Sequence, residues 1–291
     1  MTELLEQKDH TETIARIQSA VVDMMAKVKY EPKKHVYTLS STGEWLQGVS
    51  TVSSIVPKDW LAAWGAKESV KALGYSDYGD LTVANEMLAK IKAMTVEEYV
   101  ILLKEVKGAS RKKSKEAMAD GTKGHSMLEL YVKFKQGKNP EPVVTDPLIL
   151  RAYNQFVEWS EKNVKQWVLS EARVCYPEKK YAGTLDGLAI MSNDRLALID
   201  FKFASRISED YYLQTAGYAA CFEPYGIYVR DRIIIRLPKT LEREEYDKAK
   251  FKYKKVPNNL EVEIVGTNYE MDRDTFFACL PVKKWINLVT K

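Results

Sequence analysis

The 291-residue chain has few cysteines, few histidines and no long apolar run, and each shortage removes a class of protein. The three cysteines, Cys175, Cys221 and Cys279, stand far apart. They supply neither a disulfide framework nor a four-thiolate metal or iron–sulfur site, and a reducing, cytoplasmic setting is the expectation. No stretch of eighteen apolar residues occurs, so no helical membrane span is expected. Residues 1–9 carry acids and no apolar segment, unlike a secretion signal. No Gly-x-x-x-x-Gly-Lys-Ser/Thr loop is present, so no ATPase site of that kind is expected. There is no internal repeat and no low-complexity linker. Nor is there a large excess of one charge: 44 Lys and Arg against 40 Asp and Glu leave +4, far below a non-specific DNA-packaging protein.

What remains is an ordinary folding composition. Hydrophobic residues make up 45% of the chain, and 17 Tyr, 8 Phe and 6 Trp bury enough surface to exclude intrinsic disorder. The positive charge is concentrated. Residues 101–139 hold ten basic and four acidic side chains, and residues 246–255 hold five lysines and one aspartate. These two windows outweigh the chain's +4, so the rest is net acidic, and the pattern points to an anionic partner.

Apolar spacing predicts a helix over 12–28, from Ile14, Ile17, Val21, Val22 and Met25. The runs 35–39 and 44–49 flank Ser40-Ser41-Thr42-Gly43 and predict a hairpin. A helix with Trp60, Leu61, Trp64 and Ala66 follows Pro57. Residues 82–107 read as largely helical, Thr95 with Glu97 and Glu98 marking a second start. A helical stretch covers 110–136, with a break expected near Asp120-Gly121. Leu150, Tyr153, Val157 and Val164 mark another helix. Strands follow at 167–176, 181–191 and 196–203, the last two joined by the turn Ser192-Asn193-Asp194. Residues 208–222 predict a helix capped by Ser208, 226–237 a strand, 240–250 a helix, 260–266 a strand, and 272–289 a helix begun by Asp272. The expected class is α/β, a mixed central sheet flanked by helices behind a helical N-terminal section. The expected division is 1–110 and 111–291, forming one compact unit.

Chemistry concentrates on the 181–191 and 196–203 hairpin. Side chains alternate along a strand, so Asp200 and Lys202 point one way and Ile199 and Phe201 the other. Charged groups on an apolar strand are costly unless paired or used. Closing the hairpin near Asn193 sets Asp186 opposite Asp200, and facing carboxylates repel unless a cation lies between them. Gly183 and Gly187 bracket Asp186 and are expected to open space for a ligand. Oxygen ligands suit Mg2+ or Mn2+, and an adjacent lysine completes a set able to hydrolyse a phosphodiester. The alternative is an Asp–Lys ion pair on an edge strand. His125 shares a helix face with Ala117, Gly121 and Glu129, and Gly121 and Gly124 are expected to leave ligand room beside it. It reads as a metal ligand or a packed core histidine. Glu171 holds a metal-bound water or supports Lys202, or else pairs with Arg173 on its own strand face. Gln214 and Tyr218 share a helix face with Tyr211 and Cys221, suited to a phosphate, to Lys202, or to plain packing.

In order, Gly121-Thr122-Lys123-Gly124-His125, Ser170-Glu171, Gly183-Thr184-Leu185-Asp186, Asp200-Phe201-Lys202 and Gln214-Thr215-Ala216-Gly217-Tyr218 resemble the motifs of the PD-(D/E)XK nuclease superfamily. Within it they are most similar to the RecB-type group, which includes phage and mitochondrial genome-maintenance exonucleases. The motifs span residues 121–218, about a third of the chain. The resemblance implies a restriction-endonuclease-like core and divalent-metal-dependent cleavage of DNA. It implies His125, Asp186 and Asp200 as ligands of Mg2+ or Mn2+, and Lys202, Glu171, Gln214 and Tyr218 as catalytic side chains. Some members of the group carry an iron–sulfur cluster on four cysteines; with three, none is expected here.

For DNA the expected contacts are Arg111, Lys112, Lys113, Lys115 and Lys123, against a solvated helix face. In Lys250-Phe251-Lys252-Tyr253-Lys254 lysines alternate with aromatics, which on a strand gives a basic and an aromatic face or a lysine-protected edge. Trp45, Trp60 and Trp64 stack on bases or, more commonly for such residues, pack in a core. Resembling nucleases arch an N-terminal region over the site to admit a strand end, and residues 35–70 resemble that region. The resulting expectation is an exonuclease on linear DNA in replication, recombination or repair. A structure-specific endonuclease and a non-catalytic DNA-binding module are the other readings. A single-strand annealing or replication protein is the partner the resemblance implies, and no membrane partner is expected.

Overall fold

Helix α1 (Thr11–Lys27) forms where the sequence places apolar residues three and four apart, and Ile17, Ala20, Val21 and Met24 are buried along it. The computed structural model describes residues 10–76, 81–238, 240–247, 252–266 and 268–290. Strands β1 (Val28–Glu31), β2 (Val36–Leu39) and β3 (Trp45–Gly48) make an antiparallel meander. Short α2 (Val49–Ser53) leads to α3 (Trp60–Lys71), α4 (Thr82–Lys92) and α5 (Val96–Lys135). A capping box starts α5: Glu98 N donates to Thr95 Oγ1 at 3.2 Å and Thr95 N donates to Glu98 Oε2 at 2.8 Å. The helix runs unbroken through 120–121, where a break was expected. Asp146 caps α6 (Pro147–Asn163), its Oδ1 accepting from Leu148 N and Ile149 N.

The sequence's strands follow as β4 (Val164–Tyr176), β5 (Tyr181–Met191) and β6 (Leu196–Phe203), then α7 (Asp210–Ala220) and β7 (Asp231–Leu237). The chain ends with β8 (Glu242–Asp247), β9 (Lys252–Pro257), β10 (Glu261–Ile264) and α8 (Tyr269–Val289). The central sheet has eight strands in the order β1-β2-β3-β5-β6-β7-β10, with β4 on the other edge of β5. Pairs β3–β5 and β6–β7 are parallel and the rest antiparallel, so the sheet is mixed, with helices on both faces. Along β6 the alternation sends Leu198 to a core shared with Ile17, Met24, Phe222 and Phe276. It sends Ile199 and Phe201 to a second core with Leu128, Tyr131, Phe156 and Trp167.

One detail of this sheet positions the site. Strand β5 is paired with β4 along one edge, while its other edge is shared by two strands. There β3 meets Tyr181 and Ala182, and β6 meets Gly187 to Ile190. Residues 183–186 pair with neither, so the sheet forks at Asp186.

Several expectations change. The chain divides into two compact units, one from the N-terminus to Val56 with Gly124–Pro238 and Leu260 onward, the other Pro57–Lys123 with Lys239–Asn259. The boundary at residue 110 does not hold, because β3 joins β5 and draws the N-terminal meander into the central sheet. The 35–70 segment therefore belongs to the unit of that sheet up to Val56 and to the other unit thereafter. The helix expected over 240–250 is strand β8, whose acids lie opposite the lysines of β9: Glu244 faces Lys255, Glu245 faces Lys254 and Asp247 faces Lys252. Strand pairing outweighs helical propensity there, and Lys255 Nζ lies 3.8 Å from Glu242 Oε2 across the hairpin. Lys250 and Phe251 lie outside the described residues.

Ser208 does not cap α7; Glu209 precedes the helix, and the Ser208 hydroxyl is buried without a hydrogen bond. Helix α8 starts at Asn268, whose Oδ1 accepts from Met271 N, while Asp272 is buried one turn in and paired with Arg232 at 2.8 Å. Trp45, Trp60 and Trp64 are not core: Trp45 is exposed and the other two half-buried. Among the described residues no helix is long and apolar enough to cross a membrane.

Candidate active site

The last turns of α5 are anchored by Leu128, Tyr131 and Val132, each buried at helical spacing. The Tyr131 ring stands edge-on to Phe156 at 5.4 Å, and its hydroxyl donates to Glu161 Oε1 at 2.8 Å. Gly124 allows the Phe203 ring to press on the helix; a Cβ there would stand 2.1 Å from Phe203 Cζ. That anchor fixes His125. Its Nε2 lies 3.1 Å from Asp186 Oδ1 on β5, and its Nδ1 lies 3.4 Å from Glu171 Oε1 on β4. Ligand atoms of His125, Glu171 and Asp186 all lie within 4.8 Å of one another.

The hairpin register matches expectation: Gly187 pairs with Ile199 and Ile190 with Leu196, which carries Asp186 to the level of Asp200. The two carboxylates nevertheless take different partners. Asp186 Oδ2 accepts from Phe201 N at 2.6 Å, at the fork where the ladder ends. Asp200 is 1% exposed and pairs with Lys202 Nζ at 2.6 Å. Asp200, expected from sequence as a metal ligand, pairs with Lys202, while the atoms that converge with His125 and Asp186 come from Glu171.

Glu171 reaches the cluster through unusual backbone. The β4–β5 ladder holds Ser170 to Gly187 and Ala172 to Leu185, which leaves Glu171 opposite Asp186. Its φ is 49°, left-handed, at a cost of about 1–2 kcal/mol for a non-glycine residue. Its Oε1 is buried with no hydrogen bond, and it makes no ion pair with Arg173 among the described residues. Glu171→Gly is therefore expected to raise the melting temperature of the metal-free protein while removing Mn2+ binding, checked by thermal melts with and without Mn2+. An unchanged or lower melting point in EDTA would contradict the strain argument.

The charges confirm how tightly the groups are held. Burial alone would lower the His125 pKa, but Asp186 and Glu171 raise it to about 9. Burial, with the Asp186 charge, pushes Glu171 up to about 7. Burial raises Asp200 to about 6 against the opposing pull of Lys202. Asp186 is lowered: burial works against its charge, and His125 overcomes it. Lys202 is raised, burial being outweighed by Asp200 and Asp186.

Around this centre, Lys202 Nζ lies 5.0 Å from the centre of the Tyr211 ring. The sequence placed Tyr211 on the face of Gln214 and Tyr218 without giving it a role; its spacing from Gln214 was the available signal. Gln214 Nε2 donates to the Tyr218 hydroxyl at 3.2 Å, and both are buried. Burial, with Asp186 and Asp200 nearby, holds the Tyr218 hydroxyl protonated, its pKa well above the ordinary value. The glycine spaces are filled by protein: Tyr218 packs over Gly183 and Trp167 over Gly187, so neither opens room for a ligand. Arg111, Lys112, Lys113, Lys115 and Lys123 are exposed on the part of α5 that belongs to the other unit. Arg111, Lys112 and Lys115 line a groove with Gly108 and Glu116. Cys175 and Cys221 are buried and Cys279 is half-buried, all three free.

No protein-family model matches this sequence, and no curated protein matches it. The site is therefore argued from its own donors. One imidazole nitrogen and two carboxylates, with the buried Glu171 Oε1 accepting no hydrogen bond, fit a divalent cation that accepts mixed nitrogen and oxygen ligands.

Proposed function

We propose that this protein is a divalent-metal-dependent deoxyribonuclease of the PD-(D/E)XK type, an exonuclease of the RecB-type group acting in DNA replication, recombination or repair. The observation that carries the reading is the convergence of His125 from α5 with Glu171 and Asp186 from the paired strands β4 and β5, beside the Asp200–Lys202 pair on the next strand. Mn2+ suits this donor set better than Mg2+, because an imidazole is a softer ligand than Mg2+ prefers. His125, Glu171 and Asp186 would hold the cation, which would supply Lewis acidity toward a water and a phosphoryl oxygen.

The remaining work falls to the chain. His125 must release its proton before either nitrogen can act as a ligand. Lys202, kept charged by Asp200, offers its ammonium to the phosphoryl oxygens as charge builds on them. The Tyr211 ring and Asp200 limit the directions that ammonium can take. Gln214 and Tyr218 brace α7 over Gly183 and so act as positioning residues. Arg111, Lys112, Lys113, Lys115 and Lys123, exposed on the other unit, give that unit its own surface for DNA phosphates.

The test is degradation of end-labelled linear DNA, single- and double-stranded, beside a covalently closed circle, with Mg2+, Mn2+ or EDTA. The expected result is metal-dependent loss of the linear substrates with the circle spared. Lys202→Ala should lower the rate on the order of 10²–10³-fold, as loss of one charge-stabilising donor does. Equal rates on circle and linear DNA would replace the exonuclease by an endonuclease; full activity in EDTA or in Lys202→Ala would remove the mechanism.

A further inference from the structure

Arg173 is the unexplained charge beside the cluster. It is half-buried on β4, two residues from Glu171, and makes no ion pair or hydrogen bond through its side chain among the described residues. A partly desolvated guanidinium without a partner is costly, and it is the side chain best shaped to take a phosphate. Its cross-strand partner is Thr184, and cross-strand partners present their side chains on one face. Thr184 in turn lies two residues from Asp186 on β5, as Arg173 does from Glu171 on β4, so the pair borders the cluster.

The third wall comes from the meander. Tyr37 on β2 shares a hydrogen bond of 3.0 Å with Thr184 Oγ1. Tyr30, its partner on terminal strand β1, stacks on it with ring centres 4.6 Å apart and planes 22° apart. The Tyr30 hydroxyl is held at 2.9 Å by Nδ1 of the exposed His35. Both tyrosine rings are half-buried, and a fixed pair of rings is a ready platform for a base. Burial raises the Tyr37 pKa, and the charges of Glu171 and Arg173 both act on it, in line with the three groups lying together.

We propose that Arg173 with Tyr37 and Tyr30 forms a subsite for one unpaired nucleotide next to the metal cluster, Arg173 taking its phosphate and the stacked tyrosines its base. This rests on the nuclease reading of the cluster and extends it: the enzyme engages a single-stranded or frayed end, because a base inside a duplex has no free face to stack.

The test uses the full chain, a short single-stranded DNA with 2-aminopurine at one terminal position at a time, and Ca2+ in place of Mn2+. The wild type is expected to quench the fluorescence at one terminal position. Tyr30→Leu should remove that quench and weaken binding roughly tenfold, within the range for loss of one stacked base. Arg173→Gln should weaken binding by a similar factor and Arg173→Lys by less. Mn2+ binding, followed by calorimetry, should be retained in all three, which shows that the cluster and its strands are folded. Wild-type affinity and quench in Tyr30→Leu and Arg173→Gln would overturn the subsite while leaving cleavage by the wild type intact. Absence of both binding and Mn2+-dependent cleavage in the wild type would remove the nuclease reading and the subsite with it.

Discussion

Asp186→Asn is expected to lower Mn2+ affinity on the order of a hundredfold or more and to abolish metal-dependent cleavage. The substitution keeps the shape of the side chain and an oxygen to accept from Phe201 N, so the fork between β5 and β6 should persist. What it removes is the charge. Asp186 is the strongest of the influences that raise the His125 pKa to about 9, so the His125 titration should fall back toward the ordinary histidine range. Calorimetry with Mn2+ and NMR titration of the His125 ring read these two effects separately. Retained Mn2+ affinity in Asp186→Asn would show that the three-residue cluster is not the metal site, whatever happens to cleavage.

The metal-free protein should lose stability as pH rises from about 5 to about 9, and Mn2+ should reverse that slope. Native Glu171 titrates at about 7 against an ordinary 4.5, Asp200 at about 6 against 3.8, and His125 at about 9 against 6.5. In each interval the native state holds a proton that the unfolded chain has released, so the free energy of unfolding falls as pH increases. The carboxyls act first and His125 second; the His125 contribution is complete below pH 6.5 and is lost on approach to 9. Its loss is on the order of 3 kcal/mol, from about 1.4 kcal/mol for each unit of displacement. Asp186 has the opposite sign, but its stabilisation is in place once pH exceeds its ordinary value of 3.8, below this window. A cation binds the deprotonated forms, so it relieves the same repulsion that weakens the empty cluster and stabilises by mass action. Melting temperatures across this range in EDTA and in Mn2+ give the two slopes. A flat or rising profile in EDTA is the outcome that would sink the argument.

Much of the site was legible because its signals are local. The turn Ser192-Asn193-Asp194 set the hairpin register, and that register alone brought Asp186 level with Asp200. Thr95 and Glu98 marked a helix start through side chains three residues apart. His125, scarce in the sequence, was singled out by its place in the resembling Gly121–His125 element and by the Asp186, Asp200 and Lys202 set. What failed were inferences about space and partners. Glycines beside Asp186 and His125 read as openings, but Tyr218, Trp167 and Phe203 come from elsewhere in the chain to fill those positions. The segment after Thr240 read as helical because its acids face no partner until β9 is laid against it.

By itself the sequence determined most of the order of helices and strands, though not β1, β8 or β9, and the pairing of β5 with β6, and it supplied the side chains from which a site could be read. These follow from the two periodicities of the backbone and from turn residues, which act over a few positions. The tertiary structure decided which of those side chains meet. It joined β3 to β5 and forked the sheet at Asp186, put Glu171 in a left-handed conformation opposite it, and turned Asp200 to Lys202. It also left Arg173 beside Thr184 and the Tyr30–Tyr37 pair with no partner of its own among the described residues. The joining of β3 to β5 and the bond between Tyr37 and Thr184 link residues more than a hundred positions apart, and no local pattern encodes them.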